Sequence, residues 1–179
     1  ILTINGTAAS SKQLKFSSAG TEKWNLYMAA TTHQLTLASV ALGPNVLEIS
    51  QTTGSVGIGV APSAWKSTTR AIELGAVGNS VFGFTSAGSV ALTSNIYFSS
   101  ALSDWTYASS AVGALLYVSA GAFDFYTAPS GTVGNAVSLA SRFTVANNGI
   151  ITMGAYGAGT AKFSSAGVIS SVSDETWKV

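Results

Sequence analysis

Ser173 and Lys178 lie close together in Ser173-Asp174-Glu175-Thr176-Trp177-Lys178-Val179, a spacing that suits a serine nucleophile and a lysine base. A serine hydroxyl is a weak nucleophile at its own pKa, and a lysine serves as its base only when desolvation lowers the amine pKa. The same residues also suit a helix start, with Ser173 as N-cap and Asp174 and Glu175 in a first turn whose dipole favours negative charge. A second grouping sets Asp104 and Asp124 near Trp105, Tyr107, Phe123 and Tyr126. Glycosidases use two carboxyls about 5–10 Å apart, and Asp104, Trp105 and Tyr107 alone would make a saccharide-stacking patch. The plainer alternative is loop carboxylates among core aromatics, since large aromatics dominate cores. His33 is the single histidine and reads as a strand-surface or satisfied residue, because Thr32 and Gln34 offer it no triad partner. One histidine and no cysteine leave no metal site. No cofactor is expected either: Gly54-x-x-Gly57-x-Gly59 has the wrong glycine order for a dinucleotide fingerprint, and no amphipathic helix follows it.

Composition limits what can hold such residues in place. Only 8% of the 179 residues are charged, against roughly 25% in an ordinary globular domain. Ser, Thr, Asn and Gln must therefore supply the polar surface, while much of the 47% hydrophobic content is alanine. Few bulky residues are left for a private core, and an obligate oligomer that shares burial between subunits answers that shortage. The cations Lys12, Lys15, Lys23, Lys66, Arg70, Arg142, Lys162 and Lys178 are scattered, so no basic stripe marks a nucleic-acid partner. The apolar runs, Val112 to Val118 among them, are far shorter than the roughly 18 residues of a spanning helix, and no membrane insertion is expected. Ile1-Leu2-Thr3-Ile4-Asn5-Gly6 reads as a strand entering a turn, an internal start and not a signal peptide.

The positioning elements read as short strands. Leu35–Leu37, Val46–Ile49, Val56–Ile58, Phe123–Tyr126, Phe143–Val145 and Ile150–Met153 alternate or are rich in β-branched and aromatic residues. Asn147-Asn148-Gly149 and Thr53-Gly54 join strands as tight turns, where positive φ angles are required. Trp65 to Leu74 is the best internal candidate for a short helix. Lys15-Phe16-Ser17-Ser18-Ala19-Gly20 recurs as Lys162-Phe163-Ser164-Ser165-Ala166-Gly167, with an echo at Gly83-Phe84-Thr85-Ser86-Ala87-Gly88. Reuse of a strand-turn unit extends an object along an axis. Aromatics concentrate between Phe82 and Tyr126, so residues 61–145 are expected to form a β-rich knob with Phe82, Phe123 and Phe125 in one core. A β-rich shaft segment at 1–60 and distal shaft hairpins at 146–172 flank it.

Several of these segments carry a resemblance. Ser55-Val56-Gly57-Ile58-Gly59-Val60-Ala61-Pro62-Ser63-Ala64-Trp65 resembles a junction common in bacteriophage tail fibres and tailspikes. Asp104-Trp105-Thr106-Tyr107, Gly121-Ala122-Phe123-Asp124-Phe125 and Arg142-Phe143-Thr144-Val145-Ala146-Asn147-Asn148-Gly149 resemble, in order, the knob before the family's C-terminal intramolecular chaperone. Ser173 to Lys178 resembles the opening of that self-cleaving, peptidase-like chaperone, so 173–179 would be its start, although Thr176-Trp177 departs from the family motif. The resemblance covers about 47–179 and implies an elongated, intertwined all-β homotrimer with little helix. It also implies a place among other tail proteins of an extracellular virion, and contact with a host cell-surface receptor, polysaccharide among the candidates. The chain would be no turnover enzyme, Ser173 and Lys178 serving a single self-cleavage. The other reading is a bacterial surface adhesin or β-rich carbohydrate-active enzyme.

Overall fold

A computed structural model describes residues 11–86 and 88–154, together with the backbone of 161–163 and 169–171. It is all-β, and no helix occurs among the described residues. Twelve strands form one sheet: β1 (Lys12–Ser18), β2 (Thr21–Met28), β3 (Leu35–Ser39), β4 (Gly43–Ile49), β5 (Val56–Ile58), β6 (Thr69–Leu74), β7 (Ser80–Phe84), β8 (Ser89–Ser94), β11 (Gly113–Ser119), β12 (Ala122–Ala128), β13 (Ala140–Val145) and β14 (Ile151–Met153). The short pair β9 (Ile96–Phe98) and β10 (Trp105–Tyr107) lies between β8 and β11, and β15 (Ala161–Phe163) pairs with β16 (Ile169–Ser171).

The strands lie in the sheet in chain order, each beside the next, and every pairing is antiparallel except the parallel one between β5 and β6. An antiparallel neighbour needs only a tight turn, whereas a parallel one needs a crossover, and residues 59–68 provide it. Gly57 explains where that crossover goes. A side chain there would meet the Val60 carbonyl oxygen at 2.0 Å and Pro62 Cδ at 3.0 Å, so the returning chain lies on the strand where a Cβ is absent.

The tight turns reuse one sequence. Ser-Ala-Gly closes both the β1–β2 and β11–β12 hairpins, with Ala19 and Gly20 at φ 50 and 74 and Ala120 and Gly121 at φ 51 and 78. Two consecutive positive φ angles make the type I′ geometry that matches strand twist. The Asn147-Asn148-Gly149 turn joins β13 and β14 as expected, but only Gly149 has positive φ, and Gly149 N–H donates to Ala146 O at 2.8 Å.

The helix expected from Trp65 to Leu74 is the end of the crossover followed by strand β6. Thr69, Ala71 and Glu73 are buried while Arg70, Ile72 and Leu74 are exposed, a period of two that only a strand produces. The expected single core for Phe82, Phe123 and Phe125 also needs correction. Phe82 is buried, whereas Phe123 and Phe125 stand on the opposite face, half exposed. Pairing decides this, because Val118 faces Phe123 and Leu116 faces Phe125 on one side while Ala91 faces Phe82 on the other. The core gathers Trp65, Phe82, Ile96, Tyr107 and Leu115 on the inner face of the sheet. Its rings meet at tilted or edge-on angles, Trp65 to Phe82 at 5.1 Å and Phe82 to Trp105 at 5.5 Å, as ring quadrupoles prefer.

Candidate functional site

Asp104, Trp105 and Tyr107 do not form an exposed patch. Tyr107 is 3% exposed and its hydroxyl donates to Pro129 O at 2.7 Å. Trp105 is half-buried against Phe82 and Phe98, both ring pairs at 5.5 Å. Their place on β10 explains the outcome: residues 95–112 fold over the inner face, and Tyr107 closes the core there. Asp104 alone stays at the surface, its Oδ1 accepting Trp105 N–H at 2.7 Å. Asp124 stands on β12 opposite Tyr117 and accepts Thr144 Oγ1–H at 2.7 Å. Burial first, then the charge of Asp124 and the neighbouring Tyr117, raise the Tyr126 phenol above its ordinary pKa. His33 is exposed in the β2–β3 turn at φ 55, off any strand. Ser173 and Lys178 lie outside the described residues. No group of three His, Cys, Asp or Glu side chains able to hold a metal occurs among the described residues.

The structure brings two carboxylates together with a row of hydroxyls instead. On the inner face Thr36, Glu48, Gly57, Glu73, Ser80 and Thr93 are successive register partners across β3 to β8, and all the side chains among them are buried, Gly57 having none. Glu73 is fully buried and clamps two loops, accepting hydrogen bonds from the Ser63 backbone N–H, Ser63 Oγ–H at 2.7 Å and Gly78 N–H at 2.7 Å. Three donors satisfy a buried carboxylate. Ser80 and Thr93 join their hydroxyls at 2.6 Å. Glu48 is different: its Oε1 is buried without a partner among the described residues, and burial raises its carboxyl above the ordinary 4.5. This arrangement binds loops to the sheet and supplies no exposed acid-base pair.

The outer face has the opposite character. Met28, Leu35, Ile49, Val56, Ile72 and Val81 are register partners from β2 to β7, and Leu92, Leu116, Phe125, Phe143 and Met153 continue the row from β8 to β14. Lys12 begins it on β1. A second row runs Leu14, Leu26, Leu37, Leu47, Ile58 and Leu74. At one end of these rows Leu42, Pro44, Asn45, Val46, Ile58 and Gly59 line an open groove of about 370 Å³.

Neither face was read from the sequence residue by residue. The signal for both is present in Thr-Arg-Ala-Ile-Glu-Leu at Thr69–Leu74, where a glutamate shares parity with threonine and alanine while isoleucine and leucine share the other. Register is what identifies which parity is covered. No protein-family model, curated protein or solved structure matches the chain.

Proposed function

We propose that this chain is a segment of a bacteriophage tail fibre, a homotrimer that is structural along most of its length and touches the host through its widest part. The observation that carries this reading is the ladder: twelve short strands stacked in chain order. At about 4.8 Å per strand such a stack grows to roughly 50 Å along one direction, and a further hairpin lengthens it without changing its cross-section. A chain with 8% charge and a hydroxyl-rich surface suits an extracellular assembly held by packing.

The host-contacting part of this proposal is the pair of loops that cap the inner core. Residues 95–112 and 129–139 are tied together by Gly134 N–H to Tyr107 O at 2.9 Å and Val133 N–H to Ser110 Oγ at 3.2 Å. Asp104 and the hydroxyls of Ser100, Ser103, Ser130 and Thr132 stand at their surface, a polar set of the kind that accepts and donates hydrogen bonds to saccharide hydroxyls. Self-cleavage by Ser173 and Lys178, single-turnover and outside the described residues, belongs to the same proposal.

Fluorescently labelled protein tests it. The expected result is decoration of bacteria that the encoding phage adsorbs to, competition with virion adsorption, and loss of both after periodate oxidation of the cell surface. Absence of the chain from purified virions by mass spectrometry would overturn the fibre reading. Failure to bind susceptible cells would remove host recognition from it.

A further inference from the structure

Beside its aromatic core the covered face of the sheet buries a polar row, while the open face is apolar. The covered face holds Thr36, Glu48, Glu73 and Thr93, at most 8% exposed, while Ile72, Val81 and Leu92 on the open face are 39–49% exposed. In a sheet, flanking side chains already cover the sides of each residue, so exposure of that size is the whole outward-facing top. From Phe16 on β1 to Ile151 on β14 these tops leave on the order of 1,000 Å² of apolar surface open per chain, above both the few hundred Å² that a monomer tolerates and the roughly 800 Å² per partner of a standard interface.

We infer that this outer face is the seam between copies of the chain, each copy laying the Met28 to Met153 row against the same row of its neighbours. Extent selects the occupant. The row crosses every strand of the twelve-stranded sheet except the edge strand β1, so whatever covers it must be a ribbon of nearly the same length. A peptide or a small globular partner would cover a few rungs and leave the rest wet. Another copy has the same length and the same spacing between rungs, and facing sheets pack through interdigitating side chains about 10 Å apart. Among the charged side chains of the face, Lys12 stands at the end of the row on the edge strand β1. Arg70 lies at the margin of the face, its guanidinium donating to Ser67 O at 3.0 Å and Thr69 O at 2.8 Å, and Arg142 donates sideways to Thr127 Oγ1 at 2.7 Å. Arg70 is thus held against its own chain segment and Arg142 against the neighbouring strand β12, each bonded to a partner outside the Met28 to Met153 row. The seam does not depend on the chain belonging to a virion, since it rests on the side chains of the face alone.

The chain has no cysteine, so single-cysteine variants report one position each. Leu92→Cys and Leu116→Cys sit on the row, while Val112→Cys and Val133→Cys are exposed apolar positions on the capping loops. Maleimide labelling of the native protein should be at least about 100-fold slower at the row than on the loops, and equal after denaturation. Light scattering on the unmodified chain should give a defined multiple of 18.1 kDa. Leu92→Glu with Leu116→Glu should abolish that multiple while Val112→Glu with Val133→Glu keeps it. A monomeric mass at tens of micromolar, or row cysteines that label within threefold of the loop cysteines, overturns the seam. Neither result bears on whether the chain is found in virions.

Discussion

Glu48 shows how a single buried group sets a pH dependence. Its Oε1 has no partner among the described residues and burial raises its pKa above 4.5, so the folded chain keeps a proton that the unfolded chain releases. A raised folded-state pKa gives stability that is complete below the unfolded value and declines as pH climbs through the folded one. Glu48→Gln removes the titration while keeping the shape. The expected outcome is a urea midpoint that the variant shifts little at pH 4 and raises progressively towards pH 8. A shift of equal size at both pH values would show that desolvation of the charge is not the cause. Among single residues, the sequence drew attention to Asp104 and Tyr107 and none to Glu48, because an aromatic beside an acid looks alike in a core and on a surface. What separated them was Tyr107 Oη donating inward to Pro129 O, a contact between segments that local spacing does not contain.

At the scale of elements, strands rich in β-branched and aromatic residues were legible, and β3, β4, β5, β12, β13 and β14 lie where alternation placed them. β6 was not, because Trp65 to Leu74 joins the end of a crossover to the start of a strand and blurs the period of both. The assignment of faces was illegible for the same kind of reason: alternation gives two parities per strand, and only pairing to a neighbour says which is covered. Gly57 links this to stability. It lies in the inner polar row between Glu48 and Glu73, beneath the Val60–Pro62 turn. Gly57→Ala places a methyl 2.0 Å from a backbone carbonyl that has no side-chain freedom to yield. We expect a loss of about 3 kcal/mol in chemical denaturation, with the crossover displaced and the Ser63 to Glu73 contacts broken. Gly59→Ala, whose nearest heavy atom is Gly75 Cα at 3.7 Å, meets ordinary contact and a strained positive φ only, and should lose no more than about 1–2 kcal/mol. Equal losses at the two sites would refute the steric account of the crossover.

For the whole molecule, the question is what force holds it together. The Lys15–Glu22 ion pair, at 2.7 Å, is partly open to water on both sides, and pairs of that kind contribute about 0–1 kcal/mol and weaken as salt screens them. Apolar burial is the larger store, within the chain around Trp65 and Phe82 and, on the seam inferred above, between chains. Apolar burial is not screened by salt, and ions excluded from the surface strengthen it. Association adds a second signature, because a species that binds only the folded form raises the apparent melting temperature with its own concentration. The chain should therefore melt within about 2 °C of the same temperature in 0.05 and 1 M sodium chloride and higher in sulfate, and its melting temperature should rise when protein concentration is raised. Differential scanning calorimetry over both variables separates the contributions. A melting temperature that falls steeply with sodium chloride would make charge the dominant force, and one that does not move with protein concentration would leave the apolar face of the sheet without a share in stability.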